Sequence, residues 1–341
     1  MNTLTNPVPA NTQEVDFKKL LNDYKQADFK RSLWQVVNSF VPYFAILIAM
    51  YFTLNISYWL TLVLAVPAAG FMIRIFIISH DCGHGSFFKS RRAREITGFI
   101  SGLIAFVPYH QWRHSHALHH ATSGDLDRRG LGDVWTLTVN EYLELPFLKR
   151  LGYRLYRNPL IMFGLGPIYV FLIGQRFPQK GAKKRERNSV LFTNLALLSI
   201  ILISAFTIGI KTYLLIQMPV LIFAATAGVW LFYVQHQYED VYWEHSASWD
   251  FQAAALQGSS YYQLPAILRW FSGNIGFHHI HHLNSRIPNY YLKRCHQILT
   301  RHIDIKPITF FKSFKSLNCR LWDENNAKLV GFGYLKGLVV N

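Results

Sequence analysis

Charged side chains are scarce in this 341-residue chain: 16% of residues, against about 25% in an ordinary soluble domain. That shortfall argues against a water-soluble globular protein and points to a membrane. Acids are scarcer still, 19 against 35 Lys and Arg, which leaves a net charge of +16. A basic excess suits nucleic acid or a membrane surface. No recognition-helix or RNA-binding pattern accompanies it, so nucleic acid is excluded as a partner. The basic residues instead flank long apolar runs. Cysteine is nearly absent: Cys82, Cys295 and Cys319 are scattered, form no C-x-x-C and offer no disulfide framework. The N-terminus is polar and has no signal-peptide pattern. No internal repeat or low-complexity tract stands out.

What the chain has in quantity is apolar sequence, 51% of residues. Residues 1–15 are polar and read as disordered. Residues 16–32, with Lys18, Lys19, Lys25, Lys30 and Arg31, read as a basic amphipathic helix near a membrane. Val36–Ile56 and Tyr58–Ser79 follow, separated by a very short turn. Each is long enough to cross a bilayer, which takes ~20 residues. Pro67 and Gly70 are tolerable inside such a helix. Ser189–Ile210 and Thr212–Val234 predict a second hairpin. Ile96–Tyr109 and Pro159–Gly174 are apolar but short, which suggests embedded segments that do not cross. The basic runs Lys89–Arg94 and Arg176–Arg187 belong on the cytoplasmic side by the positive-inside rule. Everything after Gln235 is amphipathic or polar.

These features predict an all-α integral membrane protein: two transmembrane helical hairpins, four spans, under a cytoplasmic helical cap. The expected divisions are a basic N-terminal segment (1–35), a membrane domain (36–302) and a C-terminal tail (303–341).

The fifteen histidines are unevenly placed. H-x-x-H-H occurs at His116, His119 and His120 and again at His278, His281 and His282. His80 and His84 form a wider pair in HDCGH. Residues three and four apart share a helix face, so each cluster can aim its imidazoles at one point. Neutral imidazole is a common ligand for iron, zinc and copper. Eight histidines exceed the needs of one metal but suit two. His236 ends the last span on the side of the clusters and makes a ninth candidate. No carboxylate sits at ligand spacing, so Asp81, Glu239 and Asp240 are expected to orient imidazoles from behind. Cys82 reads as a packing residue. His245, His296 and His302 read as surface or structural, and His110, His114 and His279 as supporting residues. A site shared by three clusters needs all of them on one side of the membrane, which the four-span reading satisfies.

At HDCGH (His80–His84), WRHSHALHH (Trp112–His120), VQH (Val234–His236) and GNIGFHHIHHLNSRIPNY (Gly273–Tyr290) the chain resembles the membrane fatty acid desaturases. The resemblance runs from about residue 35 to the C-terminal region, in order and in spacing. LGDVWTLTVNEY, YRLYRNPLIMFGLGPIYVF and WLFYVQHQYED look like the Bacillus phospholipid Δ5 desaturases. The last box is close to cyanobacterial and plastid Δ12 enzymes.

The resemblance implies two Fe2+ ions held by His80, His84, His116, His119, His120, His236, His278, His281 and His282, with O2 as oxidant. Some acyl-CoA relatives carry Asn one turn before the histidine of the last span. Here that place is Phe232, so no such role carries over. The chain has no His-Pro-Gly-Gly haem pattern and no G-x-G-x-x-G fingerprint. Electrons are therefore expected from a separate ferredoxin or flavodoxin. The implied reaction converts saturated acyl chains of membrane phospholipids to cis-monoenes at the cell membrane, with Δ5 leading and Δ10, Δ12 and Δ9 behind. No side-chain base removes a proton from an unactivated methylene, so hydrogen-atom abstraction must come from the cofactor. A related di-iron hydroxylase is the nearest alternative. A metal transporter is remote, because Ser189–Val234 holds Lys211 as its one charge and the histidines cluster at span ends.

Overall fold

The computed structural model describes residues 16–130 and 132–338. The expected disorder of residues 1–15 falls outside them. Four helices are long and apolar enough to cross a membrane: α1 (Phe29–Thr53), α2 (Tyr58–His84), and, after the shorter helices α3 (Arg91–Ile104), α4 (Tyr109–Thr122) and α5 (Phe147–Tyr156), α6 (Lys184–Thr207) and α7 (Ile210–His236). They form two hairpins, α1/α2 and α6/α7. The outward faces of α1 and α6 expose Val41, Phe44, Ile48 and Phe52, and Leu191, Phe192, Leu195, Leu198 and Phe206. Rows of exposed Phe and Leu are stable only where the surrounding solvent is hydrocarbon.

Inside the bundle α2 presents small residues. Ala65, Ala68 and Ala69 let α1 and α7 approach closely, and Tyr43, Met50, Met72, Ile75, Val220 and Leu221 fill the remaining space. Both α2 and α7 have 27 residues. At 1.5 Å per residue each is ~40 Å long, beyond the ~30 Å of the hydrocarbon layer. The excess lies at one end and carries His80, His84 and His236 past the apolar core. Gly85, at φ +77°, closes α2 in the left-handed conformation that a side chain would resist.

The N-terminal reading needs correction. Residues 16–32 do not form one amphipathic helix. Asp16 caps a single turn, Phe17–Leu20, a 3-10 turn follows at Asn22–Lys25, and Asp28 caps α1 by accepting from Arg31 N–H. Two Asp caps twelve residues apart interrupt the helix twice. Phe17 and Leu21 turn inward, onto Leu292, Cys295 and Leu299. The first span therefore begins at Phe29 rather than Val36.

Of the two short apolar segments, the first becomes α3, 14 residues folded back along α2, with Ser79 Oγ donating to Gly98 O at 2.8 Å. The second contains two π-helical stretches, Ile161–Leu165 and Tyr169–Ile173. Together with α5 it makes a pair bent by 58°, a broken span or a re-entrant arm.

The rest of the chain caps the histidine end. It holds α8 (Phe251–Gln257), α9 (Ala266–Phe271), α10 (His278–Leu283) and α11 (Asn289–Leu299). Five short strands join them. β1 (Leu137–Thr138) pairs in parallel with β4 (Leu321–Asp323), β4 pairs antiparallel with β5 (Lys328–Val330), and β2 (Tyr261–Gln263) pairs in parallel with β3 (Pro307–Thr309). Residues 304–330 are thus stitched to the cap. Two anchors fix α9 to α2. The ring of Phe271 fills a notch at Gly70, where an added Cβ would lie 2.8 Å from it. Arg74, buried in α2, hydrogen-bonds Trp270 O, and its guanidinium lies 4.0 Å from the Trp270 ring centroid.

Candidate metal centre

Every one of the nine candidate histidines reaches the same place. His80 and His84 come from the last turn of α2, and His116, His119 and His120 from α4. His236 is the last residue of α7, and α10 supplies His278, His281 and His282. They sort into two groups. His80, His84, His116 and His281 each bring a nitrogen within 4.8 Å of the others, and so do His119, His236, His278 and His282. Neither group comes from one cluster: the 3-and-4 spacing sends neighbouring histidines of α4 and of α10 to different groups. His120 belongs to neither set of four. Its Nε2 lies 3.1 Å from His116 Nε2 and 2.9 Å from His281 Nε2, and its ring stacks on His282 at 4.1 Å.

Protons are placed from the outside. His80 Nδ1–H donates to Asp81 at 2.9 Å, His119 Nδ1–H to Asp133, and His236 Nδ1–H to Gly258 O at 3.2 Å. Asp81 is held in turn by the backbone and side-chain N–H of Asn289, at 2.7 and 2.8 Å. With Nδ1 protonated, Nε2 keeps only its lone pair. His119 Nε2 and His236 Nε2 nevertheless face each other at 3.1 Å. Two acceptors at that distance with no proton between them repel, and a cation bound to both removes the conflict. His84 Nε2 is also buried without a partner. Burial first, and then the neighbouring imidazoles, hold His116, His120, His278, His281 and His282 well below the ordinary histidine range. They are neutral, the form that binds metal. An all-nitrogen donor set in two groups fits two transition-metal ions such as iron.

The walls are apolar. Trp112 stacks on His116 at 4.5 Å. Phe232 packs against His119 at 5.2 Å and His236 at 5.3 Å.

Of the three acids expected to orient imidazoles, Asp81 does so. Glu239 and Asp240 do not: both are exposed on the turn after α7, and their places are taken by Asp133 and the Gly258 carbonyl. Asp133 lies thirteen residues past His120 with two glycines just before it, so helical spacing gave no signal. A backbone carbonyl leaves none at all. Cys82 packs with Ile78, Phe87 and Tyr109. His110 pairs with Glu95 at 3.1 Å, His114 and His302 are exposed, His279 meets His296 at 3.1 Å, and His245 meets Asp127 at 2.8 Å.

Comparison with known proteins gives the same grouping. A sequence model of the fatty acid desaturase family matches residues 57–312. A "fatty acid desaturase" of Bacillus subtilis is 48% identical over 96% of this chain and 94% of its own length. A Synechocystis "sn-1 oleoyl-lipid 12-desaturase" is 27% identical over 76% of this chain and 75% of its own. An "sn-1 acyl-lipid omega-3 desaturase (ferredoxin)" from the same organism is 30% identical over 70% and 69%.

Proposed function

The chain belongs to the fatty acid desaturase family, and from that premise we propose an O2-dependent acyl-lipid desaturase that carries two irons and draws electrons from a separate carrier. The observation that carries this reading is the pair of four-histidine groups at the common end of two membrane hairpins. His120, touching both groups, is the ninth ligand in this reading. When bound, the irons supply the O2-derived oxidant that abstracts hydrogen atoms from a saturated chain.

The protein's own part is to hold and to exclude. Asp81, Asp133 and Gly258 fix the tautomers of His80, His119 and His236. Trp112 and Phe232 keep water from the cluster, which limits loss of the oxidant to solvent. The lipid-facing spans let a phospholipid acyl chain arrive sideways from the bilayer, and the cap holds it at one depth. The overall change removes two hydrogens from neighbouring carbons to leave a cis double bond. O2, two further electrons and two protons yield two waters.

The double bond is assigned to Δ5, on the likeness of LGDVWTLTVNEY and WLFYVQHQYED to Bacillus phospholipid desaturases. The site faces the cytoplasm in this reading, on the charge of Lys89–Arg94 and Arg176–Arg187. The same basic runs can draw anionic headgroups to that face, a role that neutral replacements of Lys89–Arg94 test through lipid preference. The donor is a ferredoxin or flavodoxin, since the chain carries no haem or nucleotide motif.

The deciding experiment is fatty-acid profiling in a bacterial host with little desaturase background, with and without a co-expressed ferredoxin. A cis-monoene absent from a His281→Ala variant is expected, its position fixed by mass spectrometry of derivatised esters. Hydroxy acids in its place would move the assignment to a hydroxylase. No new lipid with the donor present would sink the reading.

A further inference from the structure

Electrons must reach metals that are buried beneath a cap, and the cap is not uniform. One helix, α11, hydrogen-bonds to a residue next to each histidine group. At its start, Asn289 donates twice to Asp81, the carboxylate that holds His80 of the first group. Two turns on, His296 Nδ1 lies 3.1 Å from Nε2 of His279. His279 is wholly buried and adjoins His278 of the second group. His296 is half-buried and packs on Tyr261 at 4.3 Å and Phe277 at 4.9 Å. A continuous line of rings and hydrogen bonds thus runs from the outside of α11 to the metal-binding helix.

The outer face of this helix has one sign of charge. Lys293, Arg294 and Gln297 are exposed on it, Gln297 three and four residues from the two cations, and Arg301 is exposed just past its last turn. Arg286 is exposed just before the helix. Residues 284–303 contain no Asp or Glu. The segment leading into α1 lies alongside: Tyr24 meets Tyr291 at 5.6 Å, and Arg31 adds a cation 5.0 Å from that ring. In the basic stretches 89–94 and 180–187 no such inward connection is found among the described residues. The side chains of Arg94, Arg185 and Arg187 bond to Phe88, Lys89, Glu95 and Ala182, not to the histidines or their carboxylates.

We propose that the exposed face of α11 and the turn after it, with Lys293, Arg294 and Arg301, is the docking surface for an acidic one-electron carrier protein, and that His296 and His279 mark the route inward. The proposal rests on the desaturase reading. Each docking oxidises one reduced carrier by one electron, and two dockings supply the two electrons of a turnover. Opposite charge brings the carrier to the face at rates that salt suppresses.

The test uses the metal-loaded enzyme in lipid nanodiscs, a ferredoxin of net negative charge, and reduced methyl viologen as a small donor. The Lys293→Glu/Arg294→Glu double variant is expected to raise the KM for ferredoxin at least about tenfold at low salt and to flatten its salt dependence. Turnover with viologen should stay within about twofold of the parent. Lys312→Glu/Lys315→Glu, two exposed lysines elsewhere on the cap, is the matched control and should leave the ferredoxin KM unchanged. His296→Leu should slow single-turnover reduction by ferredoxin without changing its KM.

An unchanged ferredoxin KM in the double variant, or a rise in the control instead, overturns the proposal. A parallel fall with both donors makes the face structural and also overturns it. Lost binding to anionic vesicles with ferredoxin KM intact would reassign the face to the membrane. Viologen-driven desaturation by the parent keeps the functional reading intact through any of these, whereas its absence removes both together.

Discussion

Asp81 and Asp133 stand behind different metal groups, so replacing each separates the two. Asp133→Asn leaves His119 without its carboxylate and is expected to weaken the second group by about 10- to 100-fold. Elemental analysis of the purified protein should then find about one iron per chain in place of two, while Asp127→Asn, an acid that bonds none of the nine candidate ligands, leaves the content unchanged. A second prediction concerns pH. His245 and Asp127 are both exposed and lie 2.8 Å apart. The Asp127 partner raises His245 above its ordinary 6.5, and His245 with Ser246 lowers Asp127 below 3.8. The histidine's contribution is complete below pH 6.5 and fades as pH rises through its raised value. The aspartate's is complete above pH 3.8 and fades as pH falls through its lowered value. Thermal stability should therefore lose a small increment as pH rises above 6.5 through that raised value, and His245→Ala should flatten that limb. Residue-scale legibility followed regular spacing. H-x-x-H-H announces itself because a helix repeats every three to four residues. Asp133 and Gly258 were invisible because only the folded cap brings them to His119 and His236.

At the scale of elements, the hairpins were readable because a bilayer demands long apolar runs. The ends were less so. Phe29–Gln35 is too polar to look like part of a span, yet Asp28 caps the helix there. The cap strands, two or three residues each, are too short for any alternation to show. The Gly70 notch gives a test of packing between elements. Gly70→Leu must displace Phe271, whose ring would sit 2.8 Å from even the first added carbon. Overpacking of this kind costs about 1–3 kcal/mol. A lowered melting temperature is expected, with Gly228→Leu, where an added Cβ meets nothing within 4 Å, as the control.

For the whole molecule, sidedness is open to direct measurement. The three native cysteines are buried, so a single introduced cysteine is the only accessible thiol among the described residues. Asn55 lies in the exposed turn between α1 and α2, and Lys180 in the exposed stretch before α6. An impermeant maleimide should label Asn55→Cys on intact cells and Lys180→Cys only after lysis. The reverse pattern would put the histidine end outside. Metal removal tests the cap as a unit. Stripping the metal leaves the lone pairs of His119 and His236 opposed across 3.1 Å, so chelation should lower the melting temperature and loosen α4 and α10 in hydrogen exchange.

The sharing of α10 between both groups also sets an order of events during synthesis. One group needs His281 and the other His278 and His282. All four spans precede these residues in the chain. A nascent polypeptide therefore has all four spans made before either histidine group can be completed. Messages cut short upstream of Phe277 would yield inserted protein that lacks one histidine of the first group and two of the second.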